Sequence, residues 1–432
     1  MLALGCVSGP IGCAATIELG VLHTNYGGSV EYLAAVLLAL QILTALPYLK
    51  RRRAVWPRVA WASVVTLLVL LWSATLATLC LTFSGIMYTD RTVPVGLGST
   101  VAAIGYFWIF LSSLALAMGG IVGFLMARIP GVHSSSRRQW LGAAGVVAIG
   151  VPVAAAAFGV FVERHRYRVN ELDLPVPGLH PDLDGFRIVQ VSDLHVSPFL
   201  SPRQAGHVID MANELRADLA VFTGDLISEL GDPLDDAIRE LVRLRADMGV
   251  YACMGNHEAY VRCSNYLERQ AGRAGQIFLR NTAAQIRRGQ ATLNIAGVDY
   301  QRTGDRANYL SGTERLIIPG VSNILLSHNP DVFPAAIQRG FQSVLSGHTH
   351  GGQVNVEILH QNINPARFRT PFTSGLYRLG PASPARATDT DGLRAYGEPQ
   401  ASCFVTNGIG TIGMPIRLGA PPEIALLRLR RA

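Results

Sequence analysis

Charged side chains are nearly absent from long stretches of the first 162 residues, whereas the rest of the chain mixes charged and apolar residues as globular enzymes do. Residues 59–83, for example, contain no Asp, Glu, Lys or Arg. A chain of 432 residues with 49% apolar composition is too long for one ordinary domain and too apolar to be wholly soluble. The sequence therefore predicts two parts in different surroundings, divided near residue 163.

Four segments of the first part are long and apolar enough to be predicted as membrane-spanning helices, which need about 20 residues. They cover residues 32–49, 59–83, 101–126 and 140–162. A stretch at residues 1–22 is also apolar, but Gly9, Pro10 and Glu18 interrupt it. A fifth helix, a signal-like segment and a re-entrant segment all stay open for that stretch. The sequence thus predicts an all-α transmembrane region over residues 1–162.

The positions of basic residues predict how these segments are oriented, because short cytoplasmic loops carry an excess of Lys and Arg. Bases cluster at residues 50–58 and 128–138, whereas the loop at residues 85–100 carries only Arg91. The second part of the chain is then expected outside the cytoplasm. The arginines at positions 164, 166 and 168 favour the opposite orientation.

The sequence SRRQWL at residues 136–141 stands directly before the fourth apolar segment. It resembles a bacterial twin-arginine signal, which exports prefolded proteins. The alternative is a pair of ordinary arginines in a cytoplasmic loop. Together with the loop charges, this run predicts a multi-pass protein of a bacterial cell membrane with an extracytoplasmic second part.

Net charge and cysteine content exclude several other classes of protein. The net charge of +7 comes largely from arginines beside the apolar segments, where bases meet anionic lipid. The sequence has no basic stripe interleaved with aromatics and no zinc-finger spacing, so no nucleic-acid partner is expected. Cys253 and Cys263 are either a disulfide or two free thiols. Nothing in the sequence indicates an obligate protein partner.

Short apolar runs of strand character recur in the second part, and polar residues follow each of them. The predicted strands cover residues 187–191, 219–222, 250–254, 323–326 and 343–345. The pairs Ser201-Pro202 and Asp232-Pro233 indicate helix starts between strands. Alternating strands and helices predict a layered α/β fold. Loops at strand ends are held by a rigid scaffold, so their polar side chains are expected to converge on one site.

The polar residues after the five strands form an ordered series: Asp193-x-His195, Gly224-Asp225, Gly255-Asn256-His257-Glu258, Ser327-His328 and Gly347-His348-x-His350. One such pair alone is more often a satisfied polar pair than a metal site, but five in order indicate a common function. The series resembles the motif set of the calcineurin-like metallophosphoesterases. That resemblance covers residues 186–429. It implies a four-layer sandwich, in which two mixed β-sheets are flanked by helices, as a domain at residues 186–432 after a linker at residues 163–185.

Two further stretches, at residues 347–353 and 407–423, resemble the bacterial membrane-associated branch of this superfamily. Members of that branch are often twin-arginine exported and are related to lipid-precursor pyrophosphatases. One position departs from the superfamily pattern, because Ser228 stands where many members carry a second aspartate. This departure concerns contacts around the metal ligands rather than the ligands themselves.

The resemblance implies a site with two metal ions. One ion is expected on Asp193, His195, Asp225 and His350, and the other on Asp225, Asn256, His328 and His348, with Asp225 bridging them. Two divalent ions about 4 Å apart neutralise charge that develops during phosphoryl transfer and activate the attacking water. Imidazole and carboxylate ligands suit Mn, Fe or Zn better than Ca or Mg. His257 resembles the histidine that protonates the leaving oxygen, and a purely structural role is its alternative.

These observations predict a membrane-anchored, metal-dependent phosphoesterase that hydrolyses phosphoester or pyrophosphate bonds. A lipid or cell-envelope substrate is expected, since a membrane tether raises the local concentration of such molecules. One alternative is a broad phosphodiesterase acting on soluble nucleotides. Another is a non-catalytic membrane sensor whose phosphoesterase domain only binds a ligand. The complete set of ligand residues favours an enzyme.

Overall fold

The computed structural model describes residues 28–54, 57–83, 154–303, 305–358, 361–379 and 401–432, together with residues 109, 113 and 151. The chain divides into two compact units, at residues 1–153 and 154–432. The end of the fourth predicted apolar segment therefore belongs to the second unit.

The described part of the first unit contains two helices, α1 (Gly28–Arg52) and α2 (Arg58–Phe83), which cover the first two predicted spans. The predictions for residues 1–22 and for most of residues 101–126 and 140–153 lie outside the described residues. Across the described ranges, no helix meets the length and apolarity that crossing a bilayer requires. The all-α transmembrane region predicted for residues 1–162 is therefore not supported there.

The second unit is built on two mixed sheets of six strands each. In spatial order, the first sheet contains β1 (Arg168–Val176), β14 (Glu423–Arg431), β2 (Arg187–Val191), β3 (Leu219–Phe222), β4 (Val250–Ala252) and β5 (Ile277–Phe278). Strands β14 and β2 pair antiparallel, and all other neighbours in this sheet are parallel.

The second sheet contains, in spatial order, β12 (Gly375–Leu379), β13 (Ala401–Val405), β9 (Ser343–Ser346), β8 (Ser322–Leu326), β7 (Ala291–Gly297) and β6 (Thr282–Arg288). Its outer pairs, β12 with β13 and β7 with β6, are antiparallel, whereas the pairs between them are parallel. A separate antiparallel hairpin joins β10 (Val356–Ile358) and β11 (Gln361–Ile363).

The second unit also contains the helices α3 (Pro202–Glu214), α4 (Leu234–Leu241), α5 (Asn256–Tyr260), α6 (Ser264–Arg273) and α7 (Phe333–Arg339). Residues 154–161 at the start of the unit are helical as well. Short 3₁₀ turns cover Glu163–His165, Pro181–Leu183, Arg306–Asn308, Thr313–Leu316, Pro330–Val332, His350–Gly352 and Pro365–Phe368.

Three apolar cores define the layers. Side chains of both sheets, such as Ile188 and Leu326, share one core, so the sheets pack face to face. Helices α3, α4 and α6 pack on the other face of the first sheet, where Val208 and Leu241 meet Phe222. Helix α7 covers the second sheet through residues such as Phe333. This arrangement confirms the expected α/β fold with two mixed sheets.

The structure differs from the predicted linker at residues 163–185. Strand β1 lies in that stretch and pairs with β14 over its full length. Its apolar residues Leu172, Leu174 and Val176 recur at every second position and contact the core between the sheets. Such alternation is typical of a strand with one buried face. Local sequence patterns do not reveal this pairing, because the two partner strands lie far apart in the sequence.

The two predicted helix starts have different outcomes. Ser201 caps α3 as expected, because its Oγ accepts from the Gln204 amide at 3.3 Å. Helix α4 instead begins at Leu234, without a side-chain cap. The Asp232 carboxylate accepts from the amides of Ser228 and Glu229, both at 2.8 Å, and so closes the loop before the helix.

The two cysteines left open in the sequence are both free thiols. Cys253 and Cys263 are buried and do not pair. The structure therefore supports two free thiols rather than a disulfide.

Candidate active site

The seven predicted ligand residues all lie just beyond the carboxyl ends of parallel strands. Asp193 and His195 follow β2, Asp225 follows β3, Asn256 begins α5 after β4, His328 follows β8, and His348 and His350 follow β9. Parallel strands end at the same edge of a sheet, and the two sheets face one another. The fold therefore brings residues that are up to 157 positions apart, from Asp193 to His350, into contact.

Asp193, His195 and His350 form a first group, whose ligand atoms all lie within 4.8 Å of one another. The Nε2 atom of His350 lies 3.1 Å from Nε2 of His195 and 3.3 Å from Oδ1 of Asp193. All three side chains are buried. This group contains three of the four residues predicted to bind the first metal ion.

Asp225, His328 and His348 form a second group, whose ligand atoms also lie within 4.8 Å of one another. The Nε2 atom of His328 lies 3.0 Å from Oδ2 of Asp225 and 3.2 Å from Nδ1 of His348. The same nitrogen lies 3.0 Å from Oδ1 of Asn256. The structure therefore places all four residues predicted for the second ion together.

The carboxylate of Asp225 lies between the two groups. Its Oδ2 atom is 3.6 Å from Nε2 of His195 in the first group and 3.0 Å from Nε2 of His328 in the second. This position is the one that a bridging ligand requires. Binding of metal by the seven residues stays a prediction, and their geometry permits it.

Hydrogen bonds on the outer side of the imidazoles select the nitrogen that faces the site. The Nδ1 atom of His328 lies 2.7 Å from the Thr223 carbonyl, which only accepts, so Nδ1 carries a proton. His195 Nδ1 lies 3.0 Å from the Ser228 hydroxyl, and His350 Nδ1 lies 3.3 Å from the Gly410 carbonyl. The carbonyl partners leave Nε2 of His328 and of His350 for a metal, as is typical of metal-binding histidines, and the Ser228 hydroxyl can accept from Nδ1 of His195 in the same way.

Burial and mutual contacts set the charges of these groups. Burial, together with the neighbouring imidazoles, lowers the pKa of His195 and of His350 well below its ordinary value, so both rings are neutral. Burial opposes ionisation of Asp225, yet the imidazoles of His328 and His257 hold the pKa of that carboxyl well below its usual range. The ionised Asp225 carboxylate and the neutral imidazoles of His195 and His350 are donors that fit a divalent transition metal.

His328 holds a proton that a metal ion would replace. Burial lowers the pKa of His328, but the carboxylates of Asp225 and Asp193 outweigh it and raise that pKa to about 10. The ring therefore carries a positive charge against Asp225 in the protein alone. Ligand histidines bind metal in the neutral form, so metal uptake is coupled to release of such protons.

Five of the seven ligand residues have a left-handed backbone conformation. Their φ angles are 52° for Asp193, 47° for His195, 60° for Asp225, 75° for His348 and 53° for His350. Residues with a Cβ atom rarely adopt this region. Each costs of the order of 1–3 kcal/mol, and such positions cluster at functional sites.

Two glycines give the carboxylates room. A Cβ atom at Gly255 would collide with the carboxylate of Asp225, and one at Gly347 would collide with that of Asp193. Neither glycine has a left-handed backbone. Glycine is required at both positions because the backbone lies too close to a carboxylate for a side chain to fit.

His257 lies at the rim of the same site, with 14% of its side chain exposed. Its Nδ1 atom donates to the Ser228 carbonyl, and its Nε2 atom lies 4.0 Å from Oδ2 of Asp225. The His257 amide also donates to Oδ1 of Asp225 at 2.9 Å. The ring also forms a third group with His195 and Asp225, whose ligand atoms lie within 4.8 Å of one another, but it is more exposed than the two predicted ligands that it adjoins in this group.

Glu258 has a role that sequence reasoning missed. Its fully buried carboxylate accepts from the amides of Asp225, Leu226 and Gly255, at 3.0, 2.6 and 2.7 Å. It thereby fixes the backbone on either side of the bridging carboxylate. The signal was present in the sequence, because a glutamate at the third position of a helix commonly bonds back to the residue before the helix.

Replacing Glu258 with alanine is expected to destabilise the domain by at least about 3 kcal/mol, because three buried amides lose their acceptor at about 1–3 kcal/mol each. Glu258→Gln keeps one acceptor oxygen and is expected to cost less. Urea unfolding measures both values. The exposed Glu171→Ala change on β1 serves as the control and should stay within about 0.5 kcal/mol of the parent protein. A Glu258→Ala protein that matches this control contradicts the assigned role.

Ser228 replaces the aspartate that many superfamily members carry, and it contacts two histidines of the site. Its hydroxyl lies 3.0 Å from Nδ1 of His195, and its carbonyl accepts from Nδ1 of His257. A serine therefore orients His195 through a neutral hydrogen bond where an aspartate supplies a charged one.

Ser228→Ala removes the hydroxyl but keeps the carbonyl that holds His257. We expect metal affinity to fall about 10- to 100-fold, the usual effect of losing an outer partner of a ligand histidine. Ser228→Asp is expected to raise the affinity, and Ser228→Thr, which keeps the hydroxyl, should change it little. Calorimetric titration with Mn²⁺ tests the series. Equal affinities in all four proteins would show that the hydroxyl does not orient His195.

Comparison with known proteins finds similarity in the segment that carries these residues. The family model for calcineurin-like phosphoesterases matches residues 186–352. A transmembrane protein with metallophosphoesterase domain of Danio rerio is 28% identical over 349 residues, which cover 77% of this chain and 72% of that protein. The metallophosphoesterase YkuE of Bacillus subtilis is 28% identical over 301 residues, covering 68% of this chain and 98% of its own.

A third relative carries a named activity. The UDP-2,3-diacylglucosamine pyrophosphatase LpxG of Chlamydia trachomatis is 26% identical over 327 residues, which cover 65% of this chain and 94% of that protein. The matched family segment contains every residue of the two ligand groups and His257. The chain therefore carries a calcineurin-like metallophosphoesterase domain, and with it the activity class of a metal-dependent phosphoric ester hydrolase.

Proposed function

We propose that the protein hydrolyses phosphoester or pyrophosphate bonds with two divalent metal ions, of Mn, Fe or Zn. The observation that carries this proposal is the position of Asp225, whose Oδ2 atom faces His195 at 3.6 Å and His328 at 3.0 Å. One ion would be held by Asp193, His195, Asp225 and His350, and the other by Asp225, Asn256, His328 and His348. When bound, two such ions offset the negative charge of the phosphoryl group and activate water.

His257 is proposed as the general acid of the reaction. Its Nδ1 proton is committed to the Ser228 carbonyl, so the proton that it can transfer sits on Nε2. That atom lies 4.0 Å from Asp225 Oδ2, at the rim of the site. A proton donated from Nε2 neutralises the leaving oxygen as the bond to phosphorus breaks.

The proposed substrate class is a lipid-linked or cell-envelope phosphoester or pyrophosphate. Its support is the similarity to LpxG, which is named for a pyrophosphate that carries a nucleoside and a diacylated sugar. A twin-arginine exported, membrane-associated branch of the superfamily also fits the residues at 136–141 and 407–423. The alternatives are a phosphodiesterase of soluble nucleotides and a sensor that binds without hydrolysis.

The test of activity is hydrolysis of bis-p-nitrophenyl phosphate by the full chain, purified in detergent, with Mn²⁺ and with EDTA. Metal-dependent hydrolysis that is lost in His348→Ala supports the two-metal proposal. A folded, metal-loaded protein that hydrolyses nothing favours the sensor. Among active proteins, a higher kcat/KM for a UDP-linked diacylated sugar than for cyclic or linear nucleotides separates the envelope substrate from the soluble one.

We further propose that the first 162 residues hold the domain on the outer side of a bacterial membrane. The support is the uncharged stretches of the sequence, the loop arginines and the name of the Danio rerio relative. Large apolar side chains on α1 and α2, such as Leu43 and Val59, are also exposed by 69% and 79%. Membrane fractionation after carbonate washing tests the attachment, and protease accessibility in spheroplasts tests the side.

Replacing Arg137 and Arg138 together with lysine separates the two interpretations of the SRRQWL run. Lysines keep the positive charge that orients a loop, but a twin-arginine signal requires arginine. Loss of the domain from the outer side in this variant supports the export signal. An unchanged location identifies the arginines as ordinary loop charges.

A further inference from the structure

Arg417 is the largest fully buried side chain in the described residues, and it lies directly behind the first ligand group. A buried guanidinium ordinarily pairs with a carboxylate. The Arg417 donors instead bond to backbone carbonyls, namely those of Asn407 at 2.8 Å, His350 at 3.0 Å, Gly410 at 3.1 Å and Ala420 at 3.2 Å. The planar fork of the guanidinium therefore joins two loops that are distant in sequence.

The contacts of Arg417 converge on His350. Its Nη1 atom donates to the His350 carbonyl at 3.0 Å. The Gly410 carbonyl accepts from Arg417 and also lies 3.3 Å from His350 Nδ1. Arg417 thus holds the backbone of this ligand residue directly and its ring through the shared Gly410 carbonyl.

The same loop also reaches the other members of the first group. The Gly410 amide donates to the Asp193 carbonyl at 2.7 Å, and the Ile409 amide donates to the Ser192 carbonyl at 3.1 Å. A Cβ atom at Gly410 would collide with the Leu194 carbonyl and the His195 side chain. Displacement of the loop would therefore disturb the first group, whereas these contacts do not involve Asn256, His328 or His348.

The start of the second unit supports this loop from behind. The Arg417 amide donates to the Gly159 carbonyl at 3.2 Å, and the Gly419 amide donates to the Glu163 carboxylate at 3.0 Å. Gly159 packs so closely that a Cβ atom there would lie 2.6 Å from the Arg417 carbonyl oxygen. Residues 154–163 are therefore part of the same support.

We propose that Arg417 is a positioning residue that holds His350 in the geometry required for the first of the two metal ions. The guanidinium does not touch the reacting atoms and acts through the loop at residues 407–420. This inference rests on the proposed two-metal function, and it assigns the support of one ion to a residue outside both ligand groups.

The test compares Arg417→Met and Arg417→Lys with the parent full chain in detergent. Metal content by mass spectrometry and calorimetric titration with Mn²⁺ report the two sites without reference to activity. Arg417→Met is expected to lower the affinity for one of the two ions about 10- to 100-fold and to leave the affinity for the other unchanged. Lysine keeps the charge but lacks the fork, so it is expected to restore only part of the affinity.

Asn294→Ala is the matched control for a general loss of stability. Asn294 is fully buried and donates to the Leu316 carbonyl and the Asn323 side chain, both at 2.7 Å. Its replacement should lower the unfolding midpoint while both ions keep their affinity. If Arg417→Met behaves like this control, the positioning role is refuted.

Gly159→Ala perturbs the same loop from outside the site. This variant is measured instead if the Arg417→Met protein does not fold. The added methyl group pushes on the Arg417 carbonyl, and the same selective weakening of one ion is expected. The inference is overturned if the variant that folds binds both ions with the affinity of the parent protein. A parent protein that binds no metal would instead refute the proposed function, so the two failures are distinguishable.

Discussion

Asp225→Ala is expected to abolish hydrolysis and to remove both metal ions, because Oδ2 of this carboxylate lies 3.6 Å from His195 Nε2 in the first group and 3.0 Å from His328 Nε2 in the second. Loss of the charge stabilisation that two ions provide amounts to several kcal/mol, and about 4 kcal/mol corresponds to about a 10³-fold lower rate. Asp225→Asn keeps the shape but loses the charge. Asp225→Asn should lose nearly as much activity and metal as Asp225→Ala. That result would assign the effect to the lost charge rather than to altered packing. The measurements are kcat/KM for bis-p-nitrophenyl phosphate and metal content.

Asp173→Ala is a suitable control for Asp225, since it removes an exposed carboxylate paired with Arg428 and Arg430 at the edge of the first sheet. Exposed pairs of this kind contribute little to stability, so activity and metal content should stay at the parent level. An Asp225→Asn protein that keeps two ions and more than about a tenth of the parent rate would be incompatible with a bridging role.

His257→Gln is expected to lower kcat by about 10²- to 10⁴-fold for substrates with alkoxide leaving groups, the usual contribution of a general acid. The effect should be much smaller for p-nitrophenolate, which departs without being protonated. Glutamine keeps an N–H donor for the Ser228 carbonyl, and His257 belongs to neither of the predicted metal ligand sets. Both ions should therefore remain bound, and this combination distinguishes acid catalysis from metal binding.

A series of phosphoesters with leaving groups of increasing basicity measures this effect. The slope of log kcat against leaving-group pKa should become steeper in His257→Gln. The exposed His180→Gln change supplies the control and should leave the slope as it is. An equal loss for every leaving group, accompanied by loss of metal, would instead make His257 a ligand or a structural residue.

The sequence predicted the core strands well. The bounds of β2 and β3 are the predicted ones, because short apolar runs between polar residues specify buried parallel strands locally. Strand β1 was missed, since it has one exposed face and is completed by β14 more than 240 residues later. Helix α4 was placed too early, because the Asp232 carboxylate closes its own loop rather than capping the helix.

The support of the site was harder to predict than the site itself. Arg417 is an unremarkable arginine in the sequence, and its significance comes from a carbonyl that is 67 positions away, at His350. Glu258 carried a local signal, but its bond to the Asp225 amide joins two strand ends separated by 33 positions. Side chains that act through backbone groups leave no residue pattern at the partner position, because every residue has a carbonyl and nearly every residue an amide.

The sequence by itself determined the kinds and order of the site residues and the strand ends that carry them, since both are local properties of the chain. Only the tertiary structure decided that Asp225 lies between the two groups and that His348 turns Nδ1 inward where His328 turns Nε2. It also fixed the left-handed backbone of five ligand residues. These features depend on hydrogen bonds and packing between distant segments, which form only when the two sheets face each other.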